Sequence, residues 1–130
     1  MKNLYYLLII YILAFAGCSK SETPNYAEPY IGKWVQTAYK SSSTETFIGQ
    51  EDGTYIQFNA NGTFTYFYSG WGAFNETTTG TYKMTSDMSM ELSIPGETLK
   101  ATIDFYDVER NTATLQFLFF HSGTYKFKKL

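Results

Sequence analysis

An all-β fold is predicted by three features of this chain: hydropathy that alternates with period two from residue 31 onward, turn signals between the alternating runs, and an excess of aromatic side chains. Alternation of that period marks strands with one buried and one wet face. After the first 17 residues there are ten Phe, nine Tyr and two Trp, more than Ile, Leu and Val together. Aromatic rings suit a pleated, half-buried surface, so the bias favours sheet over helix. No segment of the chain carries a helical period.

Eight strands are expected, near 33–40, 54–59, 63–69, 77–84, 88–94, 98–106, 112–120 and 124–129. The first opens at Gly32-Lys33-Trp34. The second and third follow Asp52-Gly53-Thr54-Tyr55 and Asn61-Gly62-Thr63-Phe64, and the fourth contains Thr79-Gly80-Thr81-Tyr82. In each, glycine supplies the turn or kink, and Thr with an aromatic resumes β structure. The fifth alternates Met88, Met90, Leu92 and Ile94 with polar residues, and Pro95-Gly96 ends it. The sixth aligns Leu99, Ala101, Ile103 and Phe105. The seventh aligns Ala113, Leu115, Phe117 and Phe119, and the last, after Ser122-Gly123, aligns Tyr125 and Phe127.

Short connections make these strands an antiparallel meander, and eight with one apolar face close into an up-and-down barrel without exposed edges. Successive connections alternate between its ends. The loop 41–53, the loop 69–75, the Pro95-Gly96 turn and the His121 turn therefore share one rim, read here as a mouth. The tight Asn61-Gly62 turn, the 109–111 turn and both termini share the other. Outward residues are mostly Thr, Ser, Lys, Glu and Asp, which excludes a transmembrane barrel, whose lipid face is apolar.

Residues 1–17 read as a leader: Lys2, then an apolar run from Leu4 to Ala16, then Gly17 before Cys18, the lone cysteine. The run is shorter than the roughly 20 apolar residues a membrane-spanning helix needs. Ala16-Gly17-Cys18 resembles the lipobox of bacterial lipoproteins, with Phe15 where Leu is usual. That resemblance implies acylation of Cys18 by palmitate-type chains and an outer-membrane anchor in a diderm cell envelope. The periplasmic and surface-facing sides both stay open. Residues 18–30, polar and carrying two prolines, are expected to be a tether, and 31–130 the barrel domain. Without Lys2 the remaining chain has nine Lys and Arg against twelve Asp and Glu, scattered, with no basic stripe for nucleic acid.

Gly32-Lys33-Trp34 on the first strand, Asn59-Ala60-Asn61-Gly62-Thr63-Phe64 and the closing Gly123-Thr124-Tyr125-Lys126-Phe127 resemble the small lipocalin-like (calycin) lipoproteins abundant in Bacteroidetes. The resemblance implies a lipocalin-like barrel with Gly32 and Trp34 at its floor. The Arg that covers this Trp in lipocalins is missing from the last strand, where Lys126 or Lys128 would substitute.

Candidate binding residues gather at the expected mouth. Phe47, Trp71, Phe74 and His121 lie on its loops, and Tyr66, Tyr68, Phe119 and Tyr125 at adjoining strand ends. Trp71, flanked by Gly70 and Gly72, and Phe74 in the same loop either meet a ligand or fold inward as a plug. The tyrosines share the apolar face, so their hydroxyls either line a hydrated cavity or lean out at the rim. A single His without a nucleophile partner or a second metal ligand reads as a turn residue, and neither catalysis nor a metal or other cofactor is expected. Asp104, Asp107, Glu109 and Asn111 lack the spacing of a calcium loop. Leu118 and Phe120 point opposite to the core set, as a partner patch or beneath the tether. Two functions stand: a lipoprotein holding a small apolar, amphipathic or sugar-like ligand, or a solid-cored interaction module such as an accessory subunit or inhibitor.

Overall fold

The computed structural model describes residues 25–41, 46–70, 75–105, 111–117 and 123–130. Nine strands form one antiparallel sheet: β1 Gly32–Ser41, β2 Ile48–Gly49, β3 Tyr55–Phe58, β4 Thr63–Ser69, β5 Asn75–Ser86, β6 Ser89–Ile94, β7 Glu97–Phe105, β8 Thr112–Phe117 and β9 Gly123–Lys129. Each strand from β3 to β8 pairs with the next, and β1 pairs with β9, which closes the sheet. β2 and β3 share one edge of β1, β3 along Gly32–Val35 and β2 at Ala38 and Tyr39. Together they fill one place in the ring, so the nine strands make an eight-membered barrel.

All eight expected strands appear within two residues of their reading at each described end, because strict alternation leaves only one register that buries the apolar set. Leu92, Ile103, Ile56 and Phe127 are wholly buried, with Phe58, Phe64, Met90, Ala113 and Leu115 around them. The strand expected at 88–94 begins one residue later. Met88 is 44% exposed, because Asp87 and Met88 form the tight turn between β5 and β6, where the Ser86 hydroxyl accepts the Met88 amide. β5 runs longer than expected at both ends, with a register shift between Met84 and Ser86. The expected stretch 118–120 of the seventh strand and residue 106 of the sixth lie outside the described residues.

Two features depart from simple alternation. β1 carries a β-bulge: Gln36 faces Phe127 and Ala38 faces Lys126, so Thr37 has no opposite residue. The extra residue reverses the facing of everything after it. Trp34 and Gln36 point inward, and past the bulge Tyr39 joins the inner face, its ring 5.0 Å from that of Tyr125. The second feature lies in the expected tether. Glu28–Tyr30 forms a 3-10 turn, and Tyr30 is buried against the core at 1% exposure. The packed unit therefore begins before residue 31, since an aromatic of that size, donating its hydroxyl to the Asp87 carbonyl, caps the floor.

Candidate functional site

The closed end is welded by aromatic and cationic groups. Trp34 is 1% exposed, and its Nε1 donates to the Tyr30 carbonyl at 2.8 Å. Lys129, neither Lys126 nor Lys128, lies over the Trp34 ring at 5.7 Å and donates to the Pro29 carbonyl at 3.1 Å. The choice follows from parity: Phe127 points inward, Lys128 is exposed, and Lys129 opposes Trp34 directly in the β1–β9 register. Nearby, Tyr82 donates its hydroxyl to the Asn59 carbonyl at 2.8 Å, tying β5 to the Asn61-Gly62 turn.

The open end holds a pocket of about 330 Å³ between β1, β2, β4 and β9. Tyr39 and Tyr125 form one wall, Tyr68 another, Ile48 and Gly49 of β2 the lip, and Gln36 and Gln50 its polar points. β2 exists because the chain between 50 and 54 is pinned. Gln50 donates its amide N–H to the Thr37 carbonyl at 2.9 Å, and Gln36 donates its own to the Thr54 carbonyl at 2.9 Å. Between them, Asp52 accepts the Thr54 amide at 2.9 Å and the Gln50 side-chain amide at 2.7 Å. Thr54, wholly buried, accepts the Ser69 amide on its hydroxyl at 3.1 Å, joining the pin to β4. Burial pushes the Asp52 carboxyl up, but hydrogen bonds from Thr54 and Gln50 outweigh it and leave the carboxyl below its ordinary value.

Among the described residues, none of the lining side chains carries a charge at neutral pH. Burial, with Tyr39 and Tyr68 beside it, pushes the Tyr125 hydroxyl far above its ordinary value. Tyr66 is raised in the same way by burial, then by Tyr125 and Tyr68, though it lies behind the pocket wall. Gln36 is 1% exposed, and its Oε1 has no hydrogen-bond partner among the described residues. A buried acceptor left open is unusual and costs roughly 1–3 kcal/mol.

The sequence-predicted residues divide accordingly. Tyr68 and Tyr125 line the pocket, and Tyr66 backs it. Phe47 does not line it: its ring lies 4.1 Å from the Lys126 Nζ and 5.2 Å from the Lys40 Nζ. Those lysines sit on the outer face, because the bulge turns Tyr39 inward and Lys40 outward. Cys18, Trp71, Phe74, Phe119 and His121, with the patch residues Leu118 and Phe120, lie outside the described residues. Sequence reasoning missed Gln36, Tyr39, Ile48 and Gln50. The alternation from Trp34 does place Gln36 inward, a polar residue at a core position. Tyr39 could not be found without the bulge. Among the described residues no group of three or more His, Cys, Asp or Glu could hold a metal ion.

Two solved structures share this architecture. A lipocalin-like protein from Bacteroides uniformis superposes with a TM-score of 0.57 over 78% of this chain and 99% of its own, at 13% identity. The fold is lipocalin-like. An uncharacterized protein from Bacteroides eggerthii matches with a TM-score of 0.56, 12% identity and the same two coverages. No protein-family model and no curated protein matches the sequence. Within this lipocalin-like barrel the two ends differ in kind: Trp34, Tyr30 and Lys129 fill one, and tyrosines ring a cavity at the other.

Proposed function

We propose that this chain is an envelope-anchored lipoprotein that binds a small, largely apolar molecule in the pocket at the open end of its barrel. The observation that carries the binding is the pocket itself, about 330 Å³ and walled by Tyr39, Tyr68, Tyr125 and Ile48. Its size falls within the roughly 300–1,000 Å³ range of small-molecule sites, whose walls are mainly apolar and aromatic with a few polar points. Burying about 200–300 Å² of apolar ligand surface supplies ~5–7 kcal/mol before association costs, which sets micromolar affinity as the ceiling. The anchor rests on the leader and on Cys18 at its end; stable attachment takes two acyl chains or more.

The pocket is tested by plugging it. Ile48 stands at the lip of the pocket opposite the inward Tyr39 and is 63% exposed, so Ile48→Trp narrows the mouth without displacing core. Native mass spectrometry of the full chain, after incubation with an envelope extract of the producing cell, should show a bound small molecule that the Ile48→Trp chain lacks. If both chains retain the same molecule, or neither does, the pocket is not a binding site. The anchor has its own test: Cys18→Ser should release the chain from membranes or block its maturation. A processed Cys18→Ser chain that still fractionates with membranes overturns the lipoprotein reading.

A further inference from the structure

Charge is unevenly shared around the barrel. Five of the nine Lys and Arg after the leader stand on two neighbouring strands: Lys33 and Lys40 on β1, and Lys126, Lys128 and Lys129 on β9. β8, β9, β1, β3 and β4, consecutive around the ring, contain no Asp or Glu. Register sharpens the contrast. Lys33 lies opposite Gln57, Lys40 opposite Thr124, Lys126 between Ala38 and Thr114, and Lys128 between Val35 and Thr112. On the far side of the ring, Lys83 and Lys100 flank Glu91 as direct cross-strand partners, and opposite charges so placed offset each other. Among the described residues, the carboxylates next to this seam along the chain are Glu28 before β1, and Glu51 and Asp52 between β2 and β3. Asp52 is already held by Thr54 and Gln50.

Aromatic rings accompany these lysines on the outer face. The Tyr55 ring lies 3.9 Å from the Lys33 Nζ and stacks on Phe67 at 5.3 Å. Lys128, Val35, Tyr55 and Phe67 form one cross-strand row over β9, β1, β3 and β4. Nearer the open end, Phe47 sits against Lys40 and Lys126. Half-buried rings beside ammonium groups suit the headgroup layer of a bilayer, where aromatics rest at the interface and each lysine near an anionic surface adds about a fivefold preference. The chain enters on this side, since the Pro29 carbonyl, just before β1, accepts the Lys129 Nζ. Cys18 stands 11 residues before Pro29, at most about 40 Å of extended chain. We propose that the β9–β1–β3 face docks on an anionic lipid membrane, so that the barrel lies on its side against the bilayer. Nine basic residues against twelve acidic ones leave the chain acidic, so a segregated face, not net charge, draws it to negative lipid. β2 pairs with β1, so this pose sets the pocket's lip, Ile48 and Gly49, beside the headgroup layer. Which membrane is met rests on the anchor proposed above; which face meets it rests on the sheet alone.

Lysine labelling with an amine-reactive reagent, read by mass spectrometry, reports the pose. Phosphatidylcholine and phosphatidylglycerol carry no amine, so the full chain, as the producing cell makes it, is labelled on vesicles of the first alone and of the two mixed. Lys33, Lys128, Lys83 and Lys100 are all exposed, and the first two lie on the docking face. On mixed vesicles Lys33 and Lys128 should react at least about fivefold more slowly than on neutral ones, while Lys83 and Lys100 react equally on both. Salt at about 1 M, with a screening length of about 3 Å, should restore the faster rate. Lys33→Glu with Lys40→Glu, both outward on β1, should return Lys128 to its neutral-vesicle rate; Lys83→Glu with Lys100→Glu should leave Lys128 protected. Equal slowing on both faces, or none on a chain that is still vesicle-bound, overturns the docking face and leaves the anchor standing. Slowing that requires added envelope proteins makes the face a protein interface and overturns the lipid proposal. A chain that joins neither vesicle overturns the anchor and this proposal together.

Discussion

At the scale of single residues, Trp34 and Gln36 sit two positions apart on one strand face and do opposite things. Trp34 is fully packed, with its one polar atom bonded to Tyr30 and its ring under Lys129. Trp34→Ala should cost on the order of 3–5 kcal/mol, the usual loss for a large core aromatic, from the 5–15 kcal/mol that domains of this kind possess. Trp34→Phe keeps most of the packing and removes the Nε1 bond, so about 0.5–1.5 kcal/mol of its loss belongs to that bond. Chemical denaturation of the two variants checks both figures, and an unchanged midpoint for Trp34→Ala would show that the floor is held by something else. Trp34 was legible because Gly32-Lys33-Trp34 opens an alternating run. Lys129 and Tyr30 were not: one is chosen by strand register, the other by a short turn without periodicity. Gln36 was legible as inward, but its place on the pocket wall becomes visible only once the strands close around it.

At the scale of elements, the bulge at Thr37 and the short β2 build the open end. Alternation alone carries Ala38 and Lys40 inward; the bulge brings Tyr39 inward instead and sends Lys40 out beneath Phe47. A bulge has no period, which is why the lower barrel, Tyr68 and Tyr125 could be read from the sequence and Tyr39 could not. β2 has only two residues and depends on the Asp52 pin for its position. That pin gives the open end an acid limit. The folded Asp52 carboxyl titrates below its unfolded value, so its contribution is complete above about pH 4 and is lost as pH falls through the lower folded value. Gln50 then loses its tether at the pocket edge. Nuclear magnetic resonance of the Thr54 amide over this range should report a titration step. Asp52→Asn should abolish the step. A Thr54 resonance that moves identically in the variant would assign the step to another carboxylate.

At the scale of the whole molecule, closure of the barrel was legible from eight alternating runs with short connections, since such a meander has no other way to cover its edges. The asymmetry between its ends was legible only in outline, as long loops against tight turns. What the closed sheet adds is an interior in which tyrosines cannot ionise. Tyr66 and Tyr125 are 4% and 6% exposed, and burial, then the neighbouring tyrosines, hold both hydroxyls protonated well past their ordinary value. The unfolded chain ionises them near pH 10. Between that pH and the higher folded value the native state binds more protons than the unfolded one, so stability falls as pH rises. Below pH 10 the contribution is complete and flat. For Tyr66 the slope reaches about 1.4 kcal/mol per pH unit once the unfolded form is fully ionised. Urea midpoints measured from pH 8 to 11.5 should therefore hold steady and then drop, and Tyr66→Phe should drop less steeply than wild type, whatever its midpoint at pH 8. Phenolate absorbance should rise in the same range with unfolding rather than ahead of it. If absorbance shows every tyrosine ionising near pH 10 while the barrel remains folded, the tyrosine layer is wet, and the dry, neutral pocket built on it is wrong.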